Sequence, residues 1–205
     1  MAARRDTKAK ILESGLREFS RHGYQGGRVE EIARLAGVNK AMIFYYYGSK
    51  RELFRQVLRS SLEGVFSEVT RQLHLQSTVE NLVEKLPEIQ VQFLSKNPDF
   101  LKMVGLTLLQ DPELIKDIVK RELAEKMPLS PQSILQKIRQ GHKEGKITES
   151  DPLQFLINLI SLNVFIFMGK PIIEAILDVR IDRIPRFDHK RVESIRHIIK
   201  RGMMK

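Results

Sequence analysis

Residues 39–47 read Asn-Lys-Ala-Met-Ile-Phe-Tyr-Tyr-Tyr, and they gather an amide, an ammonium, a methyl, a thioether and three of the chain's four tyrosines. These groups match what a DNA duplex displays. Lys40 can donate to guanine O6 or N7, Asn39 to a base edge or a phosphate, and Ala41 or Met42 can pack on a thymine methyl. Tyr45 and Tyr46 can bring hydroxyls to phosphate or ring edges to sugar and base. Asn39 has a competing role, because asparagine is a good helix N-cap and capping alone explains it. Reading base edges requires these side chains to project from one short helix held at a fixed angle, so the flanking sequence has to supply a mount.

The segment from Arg28 to Tyr47 supplies one. Ile32, Ala33, Leu35 and Ala36 are packing positions of a short helix that begins near Arg28, with Glu30 and Glu31 in its first turn complementing the helix dipole. Gly37 stops that helix and is free to adopt a left-handed conformation. A second short helix opens at Asn39, and Val38 and Ile43 can lock it onto the first. Two short helices joined this way form a helix-turn-helix, whose second helix enters the major groove.

Charge is distributed to suit. The chain of 205 residues carries a net +10. Residues 1–59 hold 13 Lys/Arg against 6 Asp/Glu, residues 60–179 hold 13 against 16, and residues 180–205 hold 9 against 3. A basic N-terminal unit attracts nucleic acid or an acidic membrane through the same long-range field. The longest apolar stretch, residues 153–168, has 16 residues interrupted by Gln154, Asn158, Ser161 and Asn163, and Gly169-Lys170-Pro171 is expected to close it. That is short of the roughly 20 residues that span a bilayer, so the sequence predicts a buried helix and no membrane partner. No apolar run follows the charged N-terminus, so no export signal is expected. The absence of cysteine excludes disulfides and thiolate chemistry. The expected location is cytoplasmic.

The remaining chain reads as helices. Asp6 is expected to cap a first helix with Ile11, Leu12, Gly15, Leu16 and Phe19 on one face, ended by Gly23. Ser49-Lys50-Arg51-Glu52 is a capping-box sequence opening a long fourth helix through Leu53, Phe54, Val57, Leu58 and Leu62. Thr78, Asn97-Pro98, Asp111-Pro112, Ser130-Pro131, Asp151-Pro152 and Asp188 mark further helix boundaries. No alternating strand or repeat is present, and the expected class is all-α.

The order Phe19, Gly23-Tyr24, Val29, Ile32-Ala33, Ala36-Gly37-Val38, Ile43, Phe44 to Tyr47, Lys50 and Glu52-Leu53 closely resembles the DNA-binding domain of the tetracycline-repressor (TetR) family of bacterial transcriptional regulators. The resemblance covers residues 11–58. It implies an N-terminal three-helix DNA-binding domain over residues 1–48. It also implies a C-terminal helical ligand-binding and dimerisation domain over residues 49–205, with helix 49–75 linking the two. The implied function is a sequence-specific DNA-binding transcriptional regulator, a repressor released from its operator by a small, mainly apolar ligand. The implied partners are a palindromic double-stranded operator, a second copy of the chain and a small-molecule effector, with no cofactor or metal.

Two positions depart from the family pattern. Arg28 stands where a capping Thr or Ser usually precedes the second helix, which loses a cap and gains a cation able to meet a phosphate. Phe44 replaces a tyrosine whose hydroxyl contacts the DNA backbone, so that role is not carried over. Lys50 begins the fourth helix beside the positive end of the dipole, where a DNA phosphate would relieve the like-charge contact. The tyrosines separate because consecutive helical residues point about 100° apart. Tyr47, four residues beyond Ile43, belongs to the core; Tyr45 belongs to the exposed recognition face, and Tyr46 lies between.

In the C-terminal part, residues 153–168 and the helix from Asp188 onward, with Val192, Ile195, Ile198 and Ile199 on one face, are candidate dimer helices or intramolecular core. Lys190, Arg191, Arg196, Lys200 and Arg201 read as a solvated basic face. A cavity within residues 78–170 is expected to hold the effector, with Gln90, Thr107, Asn158 and Asn163 as polar groups that can orient it or pair internally. An enzyme is the weaker class: His22, His74, His142, His189 and His197 show no metal-binding spacing, and Gly48-Ser49-Lys50 lacks the upstream glycine of a phosphate loop. A DNA-coating protein without base preference is the other alternative.

Overall fold

The computed structural model describes residues 2–73, 77–123, 131–148 and 151–205. The expected boundary at Ser130-Pro131 and His74 fall at residues outside that description or at its edge. Among the described residues ten α-helices run in order: α1 (Ala2–Gly26), α2 (Val29–Ala36), α3 (Lys40–Tyr47), α4 (Lys50–Gln72), α5 (Val79–Lys96), α6 (Pro98–Gln110), α7 (Pro112–Asp117), α8 (Pro131–Lys143), α9 (Pro152–Leu177) and α10 (Phe187–Met203). A π-helical turn, Ile118–Leu123, follows α7, and a 3-10 turn, Ile181–Arg183, precedes α10. Among the described residues the only β-type pairing is an isolated bridge between Ile147 and Met204.

The helices pack as two compact units, Met1–Val65 with Pro98–Lys126, and Phe66–Asn97 with Met127–Lys205, and α4 contributes to both. In the first unit α1 packs on α2 and α6. Ile11, Phe19, Ile32, Leu53 and Leu58 are fully buried there, and Phe19 meets Phe54 edge to face at 4.9 Å. Two glycines permit this packing. A Cβ on Gly15 would stand 2.7 Å from Val57 of α4, and one on Gly27 would stand 2.5 Å from the Phe19 ring. Arg55 of α4 binds Asp117 at 2.7 Å and Glu122, and Arg59 reaches Glu122 at 3.2 Å, so the π-helical turn is fastened to α4 by charge-assisted bonds.

In the second unit α5, α8, α9 and α10 surround a core that includes Leu82, Ile138, Phe155, Leu159, Ile195 and Ile199. Thr78 caps α5 in a reciprocal box with Asn81, and Asp111 and Asp151 cap α7 and α9 by accepting from Leu114 and Leu153 N–H.

Several expectations are corrected. Asp6 is not a cap: α1 begins four residues earlier, and Asp6 lies within it, paired with Lys10 at 2.7 Å. Gly23 does break the helix, with φ 64 and ψ −174. Leu35 is exposed rather than packed. Only half of the capping box at α4 forms: Glu52 N–H donates to Ser49 Oγ at 3.1 Å, but Ser49 N–H donates to Tyr47 O and the Glu52 carboxylate accepts from Gln56. Asp188 does not cap α10; Arg186, at φ 56, precedes that helix, and Asp188 accepts from Ser95 Oγ at 2.6 Å.

The largest correction concerns α9. Gly169-Lys170-Pro171 does not close it. The helix continues to Leu177, 26 residues in all, or about 39 Å at 1.5 Å per residue. It is, by length and composition, the one helix among the described residues able to cross a membrane. Its two faces differ. Phe155, Leu156, Leu159 and Asn163 are buried against the unit's own core, whereas Ile157, Phe165, Met168, Ile172 and Ile176 are exposed.

On α10, Val192, Ile195 and Ile199 turn out to be intramolecular core, and Ile198 alone of that group is exposed. The basic face is not uniformly solvated either. Arg196 binds the Glu84 carbonyl at 2.8 Å and the carboxylates of Glu88 and Glu193 at 3.0 and 2.7 Å, and Lys200 pairs with Glu84. Arg191 donates to Leu162 O, and burial pulls its guanidinium pKa down. Lys190 and Arg201 remain exposed.

Candidate nucleic-acid interface

The recognition helix is built from both ends. Gly37, at φ 66 and ψ 35, ends α2 in the left-handed conformation, and Val38 N–H reaches back to Ala33 O at 3.0 Å. Asn39 Oδ1 then accepts from Ala41 N–H at 2.9 Å, so Asn39 is the cap of α3, and its amide N–H2 remains as the donor for another partner. Ile43 and Tyr47 are buried and hold α3 down. The Tyr47 hydroxyl points to Lys8 O of α1 at 3.4 Å, and burial, with Tyr46 alongside, pushes its phenol pKa up to about 12.

That anchoring leaves Lys40, Ala41, Met42, Phe44 and Tyr45 exposed, with Tyr45 75% accessible. Lys40 is engaged by Glu30, and its ammonium lies 5.7 Å from the Phe44 ring centroid. The Lys40 ammonium, through its hydrogen bond, is also the main reason the Glu30 carboxyl titrates below the usual carboxylate range. This cross-helix pair was not anticipated, because Glu30 and Lys40 stand ten residues apart across the turn and no local spacing rule joins them. An ammonium carries three donors, so the pair leaves Lys40 capacity for a base edge.

Arg28 precedes α2 with extended backbone and makes no side-chain cap. Its own N–H is satisfied differently, by the buried Glu18 carboxylate at 2.9 Å. The Arg28 side chain is exposed. Lys50 opens α4 as expected, but its ammonium is already tied: it donates to Gln25 O at 3.0 Å and lies 5.0 Å from the Tyr24 ring centroid. Tyr46 is half-buried, in edge contact with Tyr45 at 5.3 Å and Tyr47 at 6.4 Å. The cations of Arg4 and Lys8 lie 5.7 and 5.5 Å from its centroid, a contact that no sequence pattern announced.

The polar groups considered for effector binding have internal partners. Thr107 Oγ1 donates to Met103 O at 2.8 Å on its own helix, in the first unit. In the second unit Asn163 Nδ2 donates to Gln90 Oε1 at 2.7 Å, and Asn158 Nδ2 lies 3.9 Å from Met203 Sδ. Asn163 is fully buried, and its Oδ1 has no partner among the described residues.

Residues 11–57 match the model for "Bacterial regulatory proteins, tetR family". The chain is 30% identical over 165 residues to the HTH-type transcriptional repressor SCO4008 of Streptomyces coelicolor, covering 78% of each chain. A TetR-family transcriptional regulator from Haemophilus influenzae superposes over 100% of both chains with TM-score 0.68 and 17% identity. A proposed transcriptional regulator from Saccharomonospora viridis, solved in complex with choline, superposes over 97% of both with TM-score 0.67 and 22% identity. The two solved structures speak for the fold. The repressor from Streptomyces, matched over most of its length, together with the helix-turn-helix just described, carries the assignment: this chain is a helix-turn-helix transcriptional regulator and belongs to the tetR family of bacterial regulatory proteins.

Proposed function

We propose that the protein is a cytoplasmic repressor that binds a palindromic operator as a homodimer through α2 and α3 of each copy. A small, mainly apolar effector taken up by the helical part over residues 49–205 releases it. The observation that carries the DNA reading is the division of α3: Ile43 and Tyr47 are spent on anchoring, while Lys40, Ala41, Met42 and Tyr45 face outward from a helix fixed at its N-terminus by Asn39. In this reading Lys40, Ala41 and Met42 read base edges, Arg28, Asn39, Tyr45 and Lys50 meet the backbone, and the half-buried Tyr46 takes part through its ring.

Dimerisation is supported by the exposed stripe of α9. Large exposed apolar patches mark interfaces, and a two-fold partner brings the same stripe to meet it. We favour a second copy over lipid because the opposite face of the same helix is committed to the unit's own core, including the Asn163–Gln90 pair. The choline complex of the Saccharomonospora relative supports a small-molecule effector of some kind here, without naming it.

Selection of bound fragments from a genomic pool by the purified protein tests the proposal: it should return one sequence with two half-sites about 34 Å apart. Equal affinity for all sequences at physiological salt would instead favour a DNA-coating protein. On the selected site, Lys40→Ala should relax base preference. Lys50→Ala should weaken every DNA and flatten the log–log salt dependence by about 0.9. Because Lys50 also ties α4 to Gln25 O, the unfolding midpoint is measured alongside; an unchanged salt slope would remove Lys50 from the interface.

A further inference from the structure

Resting on the DNA-binding role proposed above, we infer that Arg4 and Lys8 of α1 form a second contact with the DNA phosphate backbone, and that Tyr46 is the platform that positions them. The contact lies outside the helix-turn-helix, on residues that precede the matched segment 11–57.

Three observations lead there. The first is the placement of the two cations. Arg4 and Lys8 are one turn apart on α1, and both charged groups lie over the Tyr46 ring, at 5.7 and 5.5 Å from its centroid. Cation–π attraction holds such groups without consuming their N–H donors. The guanidinium of Arg4 keeps its planar fork and the ammonium of Lys8 its three donors for an anion.

The second is charge. Two like charges share one ring, and among the described residues neither has a carboxylate partner. The nearest acids on α1 are committed elsewhere, Asp6 to Lys10 and Glu13 to Arg17. Arg196 and Lys200 of α10, by contrast, are paired to carboxylates. Positive charge left unpaired at a fixed place suits a polyanion.

The third is continuity with the recognition helix. Tyr46 is in edge contact with Tyr45, which is exposed on the outward face of α3, and with Tyr47, whose hydroxyl reaches the Lys8 carbonyl. The three rings form a ladder from core to surface. The cation–π contacts to Tyr46, with the Tyr47 hydroxyl near Lys8 O, place the two cations against the last turn of α3, the helix proposed to read bases. A duplex engaged by α3 would then meet these two cations through its phosphates. The role of Tyr46 thereby changes: its ring serves the contact, and its hydroxyl does not.

Fluorescence anisotropy over a range of salt, with the genomically selected duplex and a random-sequence duplex, tests this. Arg4→Ala and Lys8→Ala should each flatten the log–log salt slope by about 0.9 on both duplexes, leave the preference between them unchanged and leave the unfolding midpoint in place. Tyr46→Leu, which removes the ring, should reproduce the loss, and Tyr46→Phe, which keeps it, should behave as wild type. Unchanged slopes in both alanine variants overturn the inference while the operator reading stands. A loss in Tyr46→Phe equal to that in Tyr46→Leu assigns the contact to the hydroxyl and overturns the platform. If wild type shows no sequence preference but the alanine variants still flatten the slope on random DNA, the repressor reading falls and the phosphate surface survives. Failure of wild type to bind either duplex removes both.

Discussion

Replacing Tyr47 by alanine is expected to remove about 3 to 5 kcal/mol of stability, the range for deleting a large buried aromatic from a core. Tyr47 is one of two buried residues of α3, so the loss falls on the helix that presents Lys40 and Tyr45. Urea unfolding followed by helical circular dichroism measures it, and an unmoved midpoint would show that α3 is held by other contacts. Tyr47→Phe should cost little at neutral pH, since a 3.4 Å bond to Lys8 O is a weak one.

The same pair separates under alkali. In the unfolded chain this phenol ionises near pH 10, whereas in the fold its pKa is pushed up to about 12. Across that window the unfolded state binds fewer protons than the folded one, so stability falls as pH rises, by up to roughly 2 to 3 kcal/mol. Below pH 10 the term is absent from the slope, and in Tyr47→Phe it vanishes. Parallel stability curves for the two proteins between pH 9 and about 12 would contradict the burial of this hydroxyl.

The second large effect is expected on α9. Phe165→Glu or Ile172→Glu should convert a dimer of 23.8 kDa chains to monomer. Both residues lie on the exposed stripe, seven positions apart. A carboxylate buried unpaired in an apolar interface costs about 3 kcal/mol or more. Two-fold symmetry introduces each substitution twice, so association weakens by about 6 kcal/mol, roughly ten-thousandfold. Light scattering after size exclusion measures the mass, and affinity for a palindromic site should fall with it. A monomeric wild type at micromolar concentration, or dimeric variants, would defeat the assignment of this face. Recovery of wild type with membranes would instead mean that lipid covers it.

The first four helices were legible because their signals are local. Glycine at a left-handed turn, Asn39 as a cap and the spacing of Ile43 and Tyr47 are each satisfied within a few residues, and the chain keeps them in the fold. What escaped was non-local. Periodicity placed Val192, Ile195 and Ile199 on one face of α10 but did not say whether that face meets its own chain or another, and α5 and α9 turn out to cover it. Arg196 and Lys200 looked solvated because their acids, Glu84 and Glu88, lie more than a hundred residues upstream. Pro171 does not end α9 although a proline forfeits one backbone bond at a propensity cost of about 3 kcal/mol: non-local contacts tie down the turns around it, Lys170 pairing with Asp182 and Glu174 accepting from Ile181 N–H at 2.7 Å. At the interface, the outward residues of α3 followed from helical geometry, whereas Glu30 on Lys40 and α1 over Tyr46 required the tertiary fold.

The gathering of the tyrosines has an optical consequence. The chain has no tryptophan, and Tyr24, Tyr45, Tyr46 and Tyr47 all lie in the first of the two compact units. Phenol emission and most of the near-ultraviolet dichroism therefore originate there, with only the weakly absorbing phenylalanines reporting on the second unit. Near-ultraviolet signals follow fixed tertiary packing, while far-ultraviolet signals follow helix content wherever it lies. An unlabelled sample thus carries a built-in reporter for its reading head, and a divergence between the two spectra on heating would time the melting of one unit against the other.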